Sequence, residues 1–110
     1  MIKIGLFCAA GFSTGMLVNN MKLAVEKQQI EVEIEAYPQS KLCDCVGGID
    51  VALLGPQVSY TFEQSNTICE DSDVPLSVIP MQDYGMLDGE KVLNFALGLL
   101  ENKTDVSEGV

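Results

Sequence analysis

Ile2-Lys3-Ile4-Gly5-Leu6-Phe7-Cys8-Ala9-Ala10-Gly11-Phe12-Ser13-Thr14-Gly15 is the stretch that decides the fold. Ile2, Ile4, Leu6 and Phe7 form an apolar run, Cys8 to Ser13 a turn of small residues, and a segment with helical spacing follows. Strand, loop and helix is the simplest order these three patterns make. In the helical segment Leu17, Met21, Ala24 and Val25 recur on one face, while Asn19, Asn20, Glu26 and Lys27 lie largely elsewhere. That face is expected to pack on a sheet.

Further along, Glu31-Val32-Glu33-Ile34-Glu35-Ala36 alternates polar and apolar at period two, the pattern of an edge strand with one buried face. Val51-Ala52-Leu53-Leu54 is instead continuously apolar and closed by Gly55-Pro56, which suits a central parallel strand covered on both faces. A helix is expected from Pro56, with Val58, Phe62, Ser65 and Cys69 roughly on one side. Leu76-Ser77-Val78-Ile79 is the fourth strand, stopped by Pro80, and Asp88 should cap a last helix through Val92, Phe95, Ala96 and Leu99. Strands alternating with helices imply right-handed crossovers, a parallel sheet and helices on both of its faces. Residues 1–101 then form one domain, and the small, polar residues 102–110 a flexible tail.

The length of 110 residues is that of one domain, and an apolar share of 47% is enough to fill a core. The formal net charge is −10, all six basic residues are lysines, and no basic stripe interleaves with aromatics, which argues against nucleic acid as a partner. The apolar run before Gly11 is too short for a signal peptide, and no later stretch could span a bilayer, so the expected compartment is the cytoplasm. There Cys8, Cys43, Cys45 and Cys69 stay reduced rather than forming a disulfide framework.

In open α/β sheets ligands bind beyond the carboxyl ends of the strands, and Cys8 stands at the end of the first. The residues after it, Ala9, Ala10, Gly11, Phe12, Ser13, Thr14 and Gly15, are mostly small, so successive backbone N–H groups can turn inward around an anion above a helix N-terminus. Those donors and that dipole should also favour a thiolate, lowering the pKa of Cys8 and making it a nucleophile. Ser13 and Thr14 can cap the helix or donate to the sulfur or to a phosphoryl oxygen, with capping the first assignment. A small buried hydrophobe at a strand end is the other fate open to such a cysteine. Sequestration of the sulfur, with the amides turned away from it, would exclude a carrier role.

A cysteine phosphatase would use a similar loop with an arginine gripping the phosphoryl oxygens, but Thr14 holds that position and the chain has no arginine. Carriage of a phosphoryl group fits better than hydrolysis. Nor is there a histidine, so any histidine in the reaction must come from a partner. Cys43, Cys45 and Cys69 lack the paired spacing of a zinc site, and no metal or cofactor is expected.

Lys3-Ile4-Gly5-Leu6-Phe7-Cys8-Ala9-Ala10-Gly11-Phe12-Ser13-Thr14 resembles the opening of enzyme IIB proteins of the lactose, cellobiose and chitobiose branch of the sugar phosphotransferase system. Gly55-Pro56-Gln57-Val58-Ser59-Tyr60, and Tyr84-Gly85 with Asp88-Gly89, are similar to two further hallmarks of that family. The resemblance implies a flavodoxin- or phosphatase-like four-stranded parallel sheet of order 2-1-3-4. It also implies that phosphohistidine on a IIA component donates to Cys8, with residues 9–15 as the phosphate-binding loop. Cys8 would then phosphorylate a lactose- or cellobiose-type sugar held by the membrane component IIC, and through IIC the protein would sit at the inner face of the membrane. Pro56, Gln57 and Tyr60 would support the loop or serve in docking; apolar Phe12 and Met16 beside the loop are candidates for contact with a partner or for burial under the first helix, and a monomer is the default. The readings outside the family are a non-catalytic flavodoxin-like binding module and, after it, a cysteine phosphatase.

Overall fold

The computed structural model describes residues 1–9 and 12–109, with side chains for all of these except 12, 13 and 102–109. Four strands, β1 (Ile2–Cys8), β2 (Val32–Pro38), β3 (Val51–Leu54) and β4 (Leu76–Val78), pair in parallel in the order β2-β1-β3-β4. This is the sheet expected from the sequence. Among the described residues five α-helices accompany it: α1 (Phe12–Gln28), α2 (Leu42–Cys45), α3 (Phe62–Asp71), α4 (Met81–Gly85) and α5 (Gly89–Gly109).

Alternation along the strands divides the core in two, because successive side chains point to opposite faces. Ile4, Leu6 and Cys8 of β1 and Val51 and Leu53 of β3 join Leu17 and Met21 of α1 and Val92, Leu93 and Ala96 of α5. Phe7, Ala52 and Leu54 point the other way, against Leu42 of α2, Val46, Val58, and Cys69 of α3. β3 is buried at all four positions, as its unbroken apolar run requires, and each of its leucines contributes about 1.5–3 kcal/mol by leaving water. β2 is the edge strand, with Ile34 facing inward and Glu33 and Glu35 exposed, where their charges discourage edge-to-edge pairing.

The helical segments differ from expectation at four places. The chain after Gly55 enters a 3₁₀ segment, Pro56–Thr61, kinked at Val58, and becomes α-helical only at Phe62. Pro56 supplies the fixed φ of a first turn, but Val58 at φ −114° and ψ 20° breaks the regular helix. Two short helices, α2 and α4, lie where no helix was expected, since four or five residues are too few to show a period. α5 does begin after Asp88, whose Oδ1 accepts from the Lys91 amide at 3.1 Å as an N-cap, but it extends to Gly109, past the boundary at residue 101. Among the described residues no helix is long and apolar enough to cross a membrane.

α1 ends with Gln29 in the left-handed region at φ 55°, and the Ile30 amide donates back to the Val25 carbonyl at 3.3 Å. That closure turns the chain sharply into β2. α5 lies against α1 at Gly89, where Asn20 Nδ2 donates to the Leu87 carbonyl at 2.8 Å and fixes the corner between α4 and α5. The exposed Lys27–Glu90 pair at 3.7 Å adds little to this contact.

Candidate functional site

Cys8 is the last residue of β1, and its pairing with Pro38 marks the end of the ladder to β2. It is only 2% exposed, yet it lines a cavity of about 250 Å³ with Ala9, Thr14 and Gly15 on one side and Ala36, Tyr37 and Pro38 on the other. The strand end and the first turn of α1 therefore share one small chamber. Its lining carries no formal charge, so an anion there depends on backbone amides and the helix terminus.

From the β3 side the sulfur is met by Gly55. The Gly55 amide donates to the Phe7 carbonyl at 2.9 Å, and a Cβ on Gly55 would stand 2.7 Å from Cys8 Sγ and 3.1 Å from Gln57 Oε1. Glycine is needed here for close approach, since its φ of −64° is open to any residue. Gln57 thus reaches the neighbourhood of Cys8, while Pro56 and Gln57 also line a second cleft, of about 370 Å³, with Met81, Tyr84, Gly85 and Leu87.

Burial pushes the Cys8 thiol up; the Thr14 hydroxyl and the Gly55 backbone, both beside the sulfur, pull it only part of the way back. The expectation of a lowered pKa is therefore corrected: the desolvation cost of a thiolate outweighs these two contributions. Near neutrality the buried Cys8 is therefore expected to react no faster with iodoacetamide than the exposed Cys43, which peptide mass spectrometry would read.

The other residues named from the sequence divide clearly. Thr14 does not cap the helix: its hydroxyl is buried, 3.1 Å from the Tyr84 hydroxyl, and bonds to the Cys8 sulfur. Gly15 lines the chamber and is exposed, with room around it for a side chain. Ala9 lies on the rim and is exposed. Ala10 and Gly11 lie outside the described residues, as do the side chains of Phe12 and Ser13. Met16 is 54% exposed and available for contact, whereas Tyr60, at 85%, neither packs in the core nor lines either cavity. Two residues were missed as site residues, Gly55, which meets the sulfur, and Tyr84, which bonds to Thr14, although both stand in motifs quoted from the sequence.

The remaining cysteines are dispersed. Cys43 is exposed, Cys45 half-buried, and Cys69 buried in the core beneath α3. Among the described residues no three histidine, cysteine, aspartate or glutamate side chains gather as they would around a metal ion.

Comparison with known proteins agrees with this architecture. Residues 3–95 match the family model described as the PTS system, lactose/cellobiose specific IIB subunit. The chain is 40% identical over 102 residues to the galactose-specific EIIB component of Lactococcus lactis subsp. cremoris (strain MG1363), covering 88% of this chain and 94% of that protein. It is 36% identical over 103 residues to the oligo-beta-mannoside-specific EIIB component of Bacillus subtilis (strain 168), covering 94% of this chain and all of that protein. The solution structure of a cellobiose-specific phosphotransferase IIB component from Borrelia burgdorferi superposes with a TM-score of 0.79 at 35% identity, over 93% of this chain and 94% of the other. A lactose-specific IIB domain from Streptococcus pneumoniae, 20% identical, shares the fold with a TM-score of 0.80 over 88% of this chain and 95% of that one. With its parallel sheet, its cysteine at the end of the first strand and these matches over nearly its whole length, the chain belongs to the lactose/cellobiose-specific IIB family of the phosphotransferase system.

Proposed function

We propose that this IIB component carries a phosphoryl group on Cys8, taking it from phosphohistidine on a IIA component and passing it to a sugar bound by the membrane component IIC. The observation that carries the proposal is the chamber that Cys8 shares with the first turn of α1: a nucleophile at a strand end, beside a helix N-terminus, with an uncharged lining. In the first step the S–P bond forms as the N–P bond of the donor breaks. Because burial keeps Cys8 as a thiol near neutrality, its proton leaves with the departing imidazole nitrogen. In the second step a sugar hydroxyl takes the phosphoryl group, forming O–P and breaking S–P, and its proton returns to the sulfur. The chain supplies position and backbone donors, and the partners supply the histidine and the sugar.

Residues 9–15 form the phosphate loop in this proposal, Pro56 and Gln57 buttress it beside Gly55, and Tyr60 and Met16 offer exposed surface to a partner. The protein works in the cytoplasm as a monomer, reaching the membrane through IIC, with residues 1–101 as the working domain and 102–110 as a tail outside it. The relatives' names make galactose, cellobiose and oligo-beta-mannosides the sugars to test first.

Mass spectrometry after incubation with phosphorylated IIA tests the transfer. The wild type should gain the mass of one phosphoryl group and Cys8→Ala none. An unlabelled wild type, or equal labelling of both, would overturn the proposal. The 2% exposure of Cys8 favours one other reading, a non-catalytic binding module, and that reading requires the unlabelled result.

A further inference from the structure

Two hydroxyl groups are buried together behind the Cys8 chamber. Thr14, 6% exposed in the first turn of α1, and Tyr84, 7% exposed in α4, place their oxygens 3.1 Å apart although 70 positions separate them in the chain. Thr14 also lines the chamber that holds Cys8. α4 holds the tyrosine in place: the Tyr84 amide donates to the Pro80 carbonyl and the Leu87 amide to the Tyr84 carbonyl, each at 3.0 Å.

Counting protons gives this pair a direction. A threonine hydroxyl has one proton to donate and lone pairs to accept with. If Thr14 donated to Tyr84, it would turn oxygen lone pairs toward the sulfur, and any negative charge developing there would be repelled. If Tyr84 donates to Thr14, the Thr14 proton is free for the sulfur, and the two bonds polarise one another. Tyr84 sits in a segment of five helical residues and is not among the described residues that line the chamber.

We propose that Tyr84 is a positioning residue for Cys8: its hydroxyl donates to Thr14 Oγ1 and so aims the single Thr14 proton at the Cys8 sulfur. The proposal rests on Cys8 being the reacting thiol. It makes α4, which follows the last strand, a support for the chemistry at the end of the first. Among the described lining residues Tyr37 is the titratable side chain besides Cys8, and it remains in all the variants below.

The test is the rate at which Cys8 is alkylated by iodoacetamide, read by peptide mass spectrometry from about pH 7 to about pH 11. Tyr84→Phe removes one oxygen and keeps the ring; it should slow alkylation about threefold below the titration of the thiol and move that titration upward. Thr14→Val should slow it more, about tenfold, and Thr14→Ser should behave as the wild type. The double variant Tyr84→Phe with Thr14→Val should match Thr14→Val alone, since the tyrosine acts only through the threonine. An unchanged pH profile for Tyr84→Phe overturns the proposal, as do additive effects in the double variant. Faster alkylation in Tyr84→Phe, the result of loosened packing, overturns it as well. The measurement reads the thiol alone, so its failure is distinct from a failure of labelling by phosphorylated IIA.

Discussion

Cys69 and Cys8 are both buried thiols, but only Cys8 has polar neighbours bonded to it. At Cys69, on the buried face of α3, desolvation alone pushes the thiol up to about 11. In the unfolded chain this thiol titrates at the ordinary value, so above about pH 9 the unfolded state releases a proton that the folded state keeps. The contribution is therefore fully present below about pH 9 and is lost as pH rises toward 11. Urea midpoints at about pH 8 and about pH 10.5 should fall further in the wild type than in Cys69→Ala; equal falls would mean that Cys69 titrates alike in both states. Residue chemistry of this kind was only half legible in the sequence. The place of Cys8 at the end of the first strand could be read from the apolar run and the small-residue turn. The sign of its pKa shift could not, because it depends on how much protein covers the sulfur and on Gly55 and Thr14 reaching it from different elements. The partner of Thr14 was equally hidden, since no local pattern predicts a contact with Tyr84.

At the level of elements, patterns long enough to repeat were legible and short ones were not. β3 and the Asp88-capped start of α5 follow from an unbroken apolar run and a capping residue, whereas α2 and α4 complete barely more than one turn each. The packing of α5 on α1 is a further feature with no local sign. A Cβ built on Gly89 would overlap the backbone of Asn20 and Met21, and backbone cannot move aside as a flexible side chain can. Helix propensity alone would make alanine better than glycine at this position by about 1 kcal/mol. Overpacking opposes it with about 1–3 kcal/mol, toward the upper end where backbone is struck, so the steric effect decides the sign. Gly89→Ala should accordingly lower the urea midpoint clearly, with little change in helix content by circular dichroism. A midpoint equal to or above that of the wild type would show that the two helices are not in such close contact.

For the whole molecule the governing quantity is the net charge of −10, carried on a body of 36 × 31 × 23 Å. At about 0.01 M salt the Debye length is about 30 Å, close to the size of the protein, so nearly every carboxylate repels every other. At about 0.15 M it is about 8 Å, and only near neighbours interact. Folding concentrates the charge into a smaller volume than the unfolded chain occupies, so repulsion costs the folded state more, and screening relieves that state more. The expected gain in stability between these two salt concentrations is on the order of 1–2 kcal/mol, which for a domain of this size raises the thermal midpoint by several degrees. Phosphoryl transfer to Cys8 would add further negative charge and make the dependence on salt steeper. Differential scanning calorimetry at the two concentrations measures the first effect, and repeating it on protein labelled by phosphorylated IIA measures the second. A midpoint that stays constant or falls with added sodium chloride would mean that local pairing already neutralises the acidic surface. The six lysines, set against 16 carboxylates, are too few for that.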